Sequence, residues 1–475
     1  MDVRILLIST YELGHQPLHL ASPAAALRSA GHDVRCLDTS VQGWDEQAVT
    51  WAEAVGFSVP MHTAMRLGLR AAAGMKQVRP HLPVVFYGLY APVSRDLTVG
   101  RLTDRVLAGQ YEQPLVAWFE ALANGAPPGA PTAQHTTRPA HRPPASPPTI
   151  YVDRGTHQLP ARDLLPPLGR YARLAIDGEL RLVGYVEATQ GCLHECRHCP
   201  VPTVYGGRFR ATARDLILAD IDQLVGMGAR HISFGDPDFL NGPTHSLRLV
   251  RELHERWPWL TFDCTTKVDH ILDHAELWET FAACGCLFVV SAFETTNDEI
   301  LARLDKGHTS RQAAQAVRLL RSHGIEVRPS WLPFTPWTTT EDVADLLGFV
   351  AEHDLVGNVD PVQYTIRLLL PQGSLLVDHP DLQPHLGPYD SEGLTFTWTA
   401  ADPAVDRLQR DLAELLAERV AQGASIESTF NEVSDRVVAA SGLNTPLRSS
   451  GFLRSPLHSP GHAAERPRLT EPWFC

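Results

Sequence analysis

The 475-residue sequence contains no apolar run long enough to cross a bilayer. It enters a strand-like stretch, Val3 to Ser9, without a basic and then apolar leader. Both absences point to a cytoplasmic protein with no membrane partner. A basic excess is also missing: 41 Lys and Arg stand against 54 Asp and Glu, a formal net charge of −13. That balance argues against a broad phosphate-binding face, so no nucleic-acid partner is expected and a small-molecule substrate is favoured. Nothing resembles a disulfide framework. Three of the eight cysteines are clustered at ligand spacing, which fits metal binding in a reducing compartment. With 44% hydrophobic residues, the chain can bury two cores.

The cluster is Gly191-Cys192-Leu193-His194-Glu195-Cys196-Arg197-His198-Cys199-Pro200, directly after the strand-like run Leu182 to Ala188. Iron–sulfur cubanes usually take one cysteine per iron, so three thiolates leave one iron open for another ligand. Two bland readings compete. A structural zinc site needs a fourth ligand, which His194 or His198 would supply, but no second knuckle follows elsewhere in the sequence. A ferredoxin-type carrier uses a tighter run and a fourth cysteine before proline.

The Cys-x-x-x-Cys-x-x-Cys spacing resembles the signature of the radical S-adenosylmethionine (SAM) superfamily. That resemblance implies a [4Fe-4S] cluster held by Cys192, Cys196 and Cys199, and a SAM molecule chelating the open iron. It also implies an electron donor such as flavodoxin or ferredoxin. The superfamily usually has an aromatic residue before the third cysteine, where this chain has His198.

From Ala126 to Pro148 the sequence is proline-rich and nearly free of large apolar side chains, so residues 126–149 read as a linker. Before it, strand-like runs at Val3 to Ser9, Val34 to Leu37, Ala54 to Val59 and Val84 to Tyr87 alternate with helical stretches at Ser22 to Ala30 and Thr63 to Gln77. This alternation predicts a doubly wound α/β domain over 1–125. Its words, ILLIST, LRSAGHDV, AVGFSV and HLPVVFYG, look like a cobalamin-binding-type domain. An Asp-x-His-x-x-Gly signature is absent, which leaves cobalamin an open expectation and His15 and His19 as loop residues rather than cobalt ligands.

After the linker, six strand candidates recur about every thirty residues, the length of a strand plus crossover helix. They are Leu182 to Ala188, His231 to Phe234, Thr261 to Lys267, Leu287 to Phe293, Glu326 to Phe334 and Val362 to Leu370. Thr212 to Asp215 has a capping-box pattern. Thr309 to His323 and Glu341 to His353 read as further crossover helices. A partial (β/α)6 TIM barrel over 150–400 follows, with a helical region and tail over 401–475. In such barrels the reacting groups gather at the carboxyl ends of the strands. There the resemblance implies SAM-binding roles for Gly235, Asp236 and Asp238 after strand two and for Glu294 after strand four. Lys267 and Arg367 are the candidate partners of the SAM carboxylate, and Lys306 reads as a solvated helix-end charge.

The sequence ends Thr470-Glu471-Pro472-Trp473-Phe474-Cys475. Taken with the two domains, this resembles the CUAEP/CCAEP-tail radical SAM proteins, whose tail continues past the first cysteine with a second cysteine or a selenocysteine. The resemblance makes Cys475 a catalytic candidate and raises a truncated selenoprotein reading. It also makes 3-amino-3-carboxypropyl transfer to a thiophilic metalloid or selenium-related substrate the expected reaction. The alternative is a cobalamin-dependent radical SAM methyltransferase. The alternative from another class is a non-catalytic iron–sulfur or zinc protein.

Overall fold

Strands buried on both faces need helices on both faces, and the first part of the chain provides them. The computed structural model describes residues 2–130, 150–151, 157–442 and 466–471. Its first sheet holds β1 (Arg4–Ser9), β2 (Asp33–Asp38), β3 (Ala54–Ser58), β4 (Val84–Tyr87), β5 (Arg105–Gly109) and β6 (Ile150–Tyr151). All six run parallel, in the order β2-β1-β3-β4-β5-β6. Separate apolar clusters line the two faces, one around Phe57, Phe86 and Met65, the other around Leu7, Tyr87 and Trp118.

The helices over Leu18–Ser29 and His62–Val78 start earlier than the sequence patterns suggest. β5 and β6 were not foreseen. Gly109, at φ 76°, has room for no side chain, since a Cβ there would meet the Tyr151 carbonyl at 2.0 Å. That close approach lets β6 pair with β5 and returns the chain to this sheet beyond the proline-rich stretch.

The second sheet is a curled half-barrel. It contains β7 (Arg173–Ile176), β8 (Glu179–Val186), β11 (His231–Phe234), β12 (Thr261–Thr265), β13 (Cys286–Glu294), β14 (Glu326–Trp331) and β17 (Arg468–Leu469). Between β8 and β11, β9 (Thr189–Gly191) and β10 (Phe209–Ala211) form an antiparallel pair, and later β15 (Leu386–Asp390) pairs with β16 (Thr395–Trp398). The order is β14-β13-β12-β11-β8-β7-β17, with β8 and β11 through β14 parallel. β7 and β17 close the near edge antiparallel.

The sixth predicted strand is reduced. Pro361–Thr365 forms a 3-10 turn, and one bridge, Phe334 to Arg367, continues the pairing. Proline cannot donate to a ladder, and the Gln363 side chain accepts the Trp331 N–H at 3.0 Å instead.

The predicted capping box at Thr212 is also corrected. Thr212 N–H bonds the Ala188 carbonyl, extending the β9–β10 ladder, so the helix Arg214–Gly226 starts one residue later on Ala213. Real capping boxes stand at Thr309 with Gln312 and at Thr339 with Asp342. The helices Pro403–Ala421 and Ile426–Ser441 add Leu412, Phe430 and Val437 to the barrel core. Between the domains, the fully buried Arg162 binds both oxygens of Asp220 at 3.0 and 2.8 Å and reaches the Gln16 side chain at 3.2 Å.

Candidate active site at the mouth of the half-barrel

The carboxyl ends of β8, β11, β12 and β13 converge on the cysteine loop. Gly191, at φ 83°, begins the loop where a Cβ would strike the Arg208 carbonyl at 2.4 Å. Asn241 Oδ1 accepts the Leu193 N–H at 3.1 Å and lies 3.8 Å from Cys192 Sγ. Arg197 caps the helix Asp298–Leu304 through the carbonyls of Ala302 and Arg303, while its N–H bonds the Leu304 carbonyl at 2.9 Å. The loop is thereby tied to two neighbouring strand units.

Cys192 and Cys196 are buried, Cys199 is half-buried, and none is in a disulfide. Burial pushes the Cys192 thiol up and the Cys199 thiol up to about 12. Such thiols stay protonated until a metal displaces the proton. Around them, Asn241 Nδ2 and His198 Nδ1 are buried without hydrogen-bond partners. Three free thiols, orphaned polar atoms and a nearby cation fit a cluster with one open iron.

That cation is Lys306. It is 3% exposed, not a solvated helix-end charge as the sequence suggested, and its Nζ stands 3.0 Å from Glu294 Oε1. The same oxygen lies 3.0 Å from His198 Nε2. Burial pushes Glu294 up, but Lys306 and His198 outweigh it and hold the carboxyl well below the usual range. Burial pushes Lys306 down, but Glu294 beside it outweighs this and raises it above its ordinary value. Glu294 adopts φ 61° at a register shift in β13, a strained backbone of the kind found at functional sites. The chain has three lysines, and two of them, Lys267 and Lys306, are buried here. In a chain that otherwise uses arginine, that rarity was the available signal.

Asp236 is tied to the start of the cysteine loop. Its Oδ2 accepts the Ala188 N–H at 3.0 Å and its Oδ1 the Thr189 hydroxyl at 2.5 Å. Burial pushes it up to about 7, against the lowering effect of those two bonds. Each oxygen thus holds one group at the start of the strand that launches the cysteine loop. Gly235 is required by packing, since a Cβ would fall 2.0 Å from the Tyr185 hydroxyl.

Asp238 caps Leu240 N–H at 3.0 Å through Oδ1, and its Oδ2 faces His270 Nδ1 at 2.8 Å and His194 Nε2 at 3.4 Å. Lys267 Nζ lies 2.9 Å from His194 Nδ1 and 3.0 Å from Asp269 Oδ2, which places it at the mouth. Arg367 does not join this group. It binds Asp406 at 2.6 Å and the Trp398 carbonyl at 2.7 Å, with its guanidinium over the Trp398 ring.

Trp331 packs edge-on against Phe293 and Phe349, within the core rather than as a wall of the site. Cys264, Cys284 and Cys286 are buried among apolar neighbours. Cys475 lies outside the described residues.

The N-terminal domain offers a second feature. Its strand order reverses between β1 and β3, where open α/β sheets bind ligands. A cavity of about 610 Å³ opens beside that point, lined by Thr10, Thr39, Trp44, Leu67 and Glu471 among others. It suits a bulky organic group. Towards the barrel, a cleft at His19, Tyr111 and Glu187 holds only about 40 Å³. There His19 Nδ1 meets the Tyr111 hydroxyl at 2.6 Å and its Nε2 meets Glu187 at 3.1 Å. His15 stacks on Tyr185. Neither histidine stands free for cobalt. The cavity therefore fits part of a corrinoid, and the cleft as it stands does not admit a macrocycle.

Residues 186–350 match the family model for the Radical SAM superfamily. The chain is 25% identical over 330 residues to a hopanoid C-3 methylase of Methylococcus capsulatus, covering 68% of this chain and 62% of that protein. It thus spans less than two thirds of that relative. An uncharacterised methyltransferase of Pyrococcus horikoshii is 22% identical over 366 residues, covering 75% of this chain and 76% of its own.

Two solved structures share the fold. The radical SAM methyltransferase TsrM from Kitasatospora setae, solved with cobalamin and a [4Fe-4S] cluster bound, has a TM-score of 0.63 at 18% identity, covering 93% of this chain and 89% of its own. The cobalamin-dependent SAM radical enzyme OxsB, with aqua-cobalamin bound, has a TM-score of 0.65 at 14% identity, covering 88% and 67%. This chain therefore carries a radical SAM domain in an α/β fold shared with cobalamin-dependent radical SAM enzymes. It is an enzyme, and a radical SAM domain implies a [4Fe-4S] cluster and SAM. Among the described residues no helix is long and apolar enough to cross a membrane.

Proposed function

We propose that this radical SAM enzyme transfers the methyl group of SAM to a small molecule, with cobalamin held by the N-terminal domain. The observation that carries the reading is the pairing of two sites in one chain: a three-cysteine loop at a barrel mouth, and a switch-point cavity in the domain before it. The relatives whose printed names state methyl transfer support that choice over aminocarboxypropyl transfer, which rested on the tail.

Cys192, Cys196 and Cys199 would hold the cluster, and when bound the cluster supplies an electron to the sulfonium of SAM. Lys267 would pair the SAM carboxylate, and Glu294 would accept from its ribose hydroxyls. A carboxylate held ionised by Lys306 and His198 is suited to that task. Asp236 would act one step back, by holding Thr189 and Ala188 so that the cysteine loop keeps its path. Thr10, Thr39, Trp44 and Leu67 would enclose part of the cobalamin.

The test is anaerobic turnover with methyl-labelled SAM, a reductant and added cobalamin, followed by mass spectrometry. S-adenosylhomocysteine formed only with cobalamin supports the reading. Methylthioadenosine as the product, with or without cobalamin, overturns it in favour of aminocarboxypropyl transfer.

A further inference from the structure

His194, Asp238 and His270 reach one point from three elements: the cysteine loop, the turn after β11, and the helix Val268–Asp273 after β12. One donor atom from each lies within 4.8 Å of the other two. Asp238 Oδ1 is fixed by Leu240 N–H, which aims Oδ2 at the two rings. The three facing atoms, His194 Nε2, Asp238 Oδ2 and His270 Nδ1, are buried, and each has no partner outside the trio. Three ligand atoms held this close in a buried pocket, with no partner beyond one another, suit one further group that all three can bind together.

We propose that these residues form a second metal site, separate from the cluster cysteines, for a divalent first-row transition ion. Two imidazoles and one carboxylate select zinc or ferrous iron over magnesium or calcium, which prefer oxygen donors. Three protein ligands leave a coordination position open to water or to an oxygen of a substrate, as catalytic metal sites do. Lys267 Nζ stands 2.9 Å from His194 Nδ1, and ligation through Nε2 requires a proton on Nδ1. Lys267 therefore gives up His194 on metal binding and keeps Asp269, already 3.0 Å away. The ammonium competes with the metal for His194, so removing it does not weaken binding.

The full-length chain, loaded anaerobically with its cluster and stripped of loose metal by a chelator, is titrated with zinc. Zinc and iron per chain are then measured after desalting, and affinity by calorimetry. The expected result is one zinc per chain with iron unchanged. His270→Gln and Asp238→Asn each weaken zinc binding by a factor on the order of 100 or more, since even outer contacts to a metal ligand are worth about 10- to 100-fold. Lys267→Met binds zinc at least as tightly as the parent.

Thermal melting shows whether each variant is folded, and the His270 variant decides if the Asp238 variant is not, because Asp238 also caps a turn. Zinc uptake matched by iron loss overturns the proposal, since the zinc then sits on the cluster cysteines. So does equal affinity in both folded variants, or no zinc retained by the parent. None of these outcomes depends on which SAM bond is cleaved.

Discussion

His198 Nε2 stands 3.0 Å from Glu294 Oε1, joining the residue before the third cysteine to the strained end of β13. The cysteine loop and the candidate SAM carboxylate are therefore one unit, with Lys306 as its buried counter-charge. A change at either end is expected to be felt at the other.

Lys306→Met leaves the buried Glu294 with His198 as its remaining side-chain partner. Breaking a buried ion pair from one side costs about 3–5 kcal/mol. The expected outcome is a lower melting temperature together with less iron retained after anaerobic reconstitution. Glu294→Gln is expected to weaken SAM binding by about 1–3 kcal/mol, the range for a charged hydrogen bond. Calorimetry on the cluster-loaded protein reads this, and equal affinity in the variant removes Glu294 from the SAM site.

Asp236 and Arg367 separate positioning from binding. If Asp236 holds the base of the cysteine loop through Thr189 and Ala188, Asp236→Ala lowers iron content first. An ammonium ligand would instead lose SAM affinity with iron intact. Arg367→Met, which cuts the ties to Asp406 and Trp398, is expected to lower the melting temperature and leave SAM affinity unchanged.

Glu12 is buried with no cation bonded to its carboxyl, and burial pushes it up from 4.5 to about 7. The folded state binds this proton more tightly than the unfolded chain does. Its contribution to stability is therefore complete below about pH 4.5 and is lost as pH rises through about 7. Glu12→Gln, always neutral, removes that loss. The melting temperature of the variant relative to the parent is expected to climb from pH 5 to pH 8, by an amount equivalent to about 3 kcal/mol at most. Parallel pH curves for the two proteins would contradict it.

The parts of this arrangement that repeat were readable in the sequence. Strand and helix periods located five of the ladder strands around the barrel mouth, and the cysteine spacing located the loop, because both are local patterns. The sixth strand misled because Val362 to Leu370 has strand-like residues, while Pro361 and the Gln363 side chain take over its pairing. β6 was missed because its two residues gain strand form only from contact with Gly109, far back in the chain. Glu294's position at the barrel mouth was legible from its strand end, whereas Lys306 looked solvated because burial depends on partners that sequence distance conceals. Asp236 and Arg367 carry the right charges in suitable places, yet their bonds go to Thr189 and Asp406. Charge and position are visible in a sequence, but commitment to a partner is not.

The central claim is that Cys192, Cys196 and Cys199 hold a cluster whose open iron takes SAM. Electron paramagnetic resonance of the anaerobically reconstituted, reduced protein tests it most directly, recorded with and without SAM alongside iron analysis. The account predicts about four irons per chain, a reduced-cluster signal that changes shape on adding SAM, and loss of both in the Cys192→Ala, Cys196→Ala, Cys199→Ala triple variant. A cluster signal unchanged by SAM, or full iron in the triple variant, would contradict it.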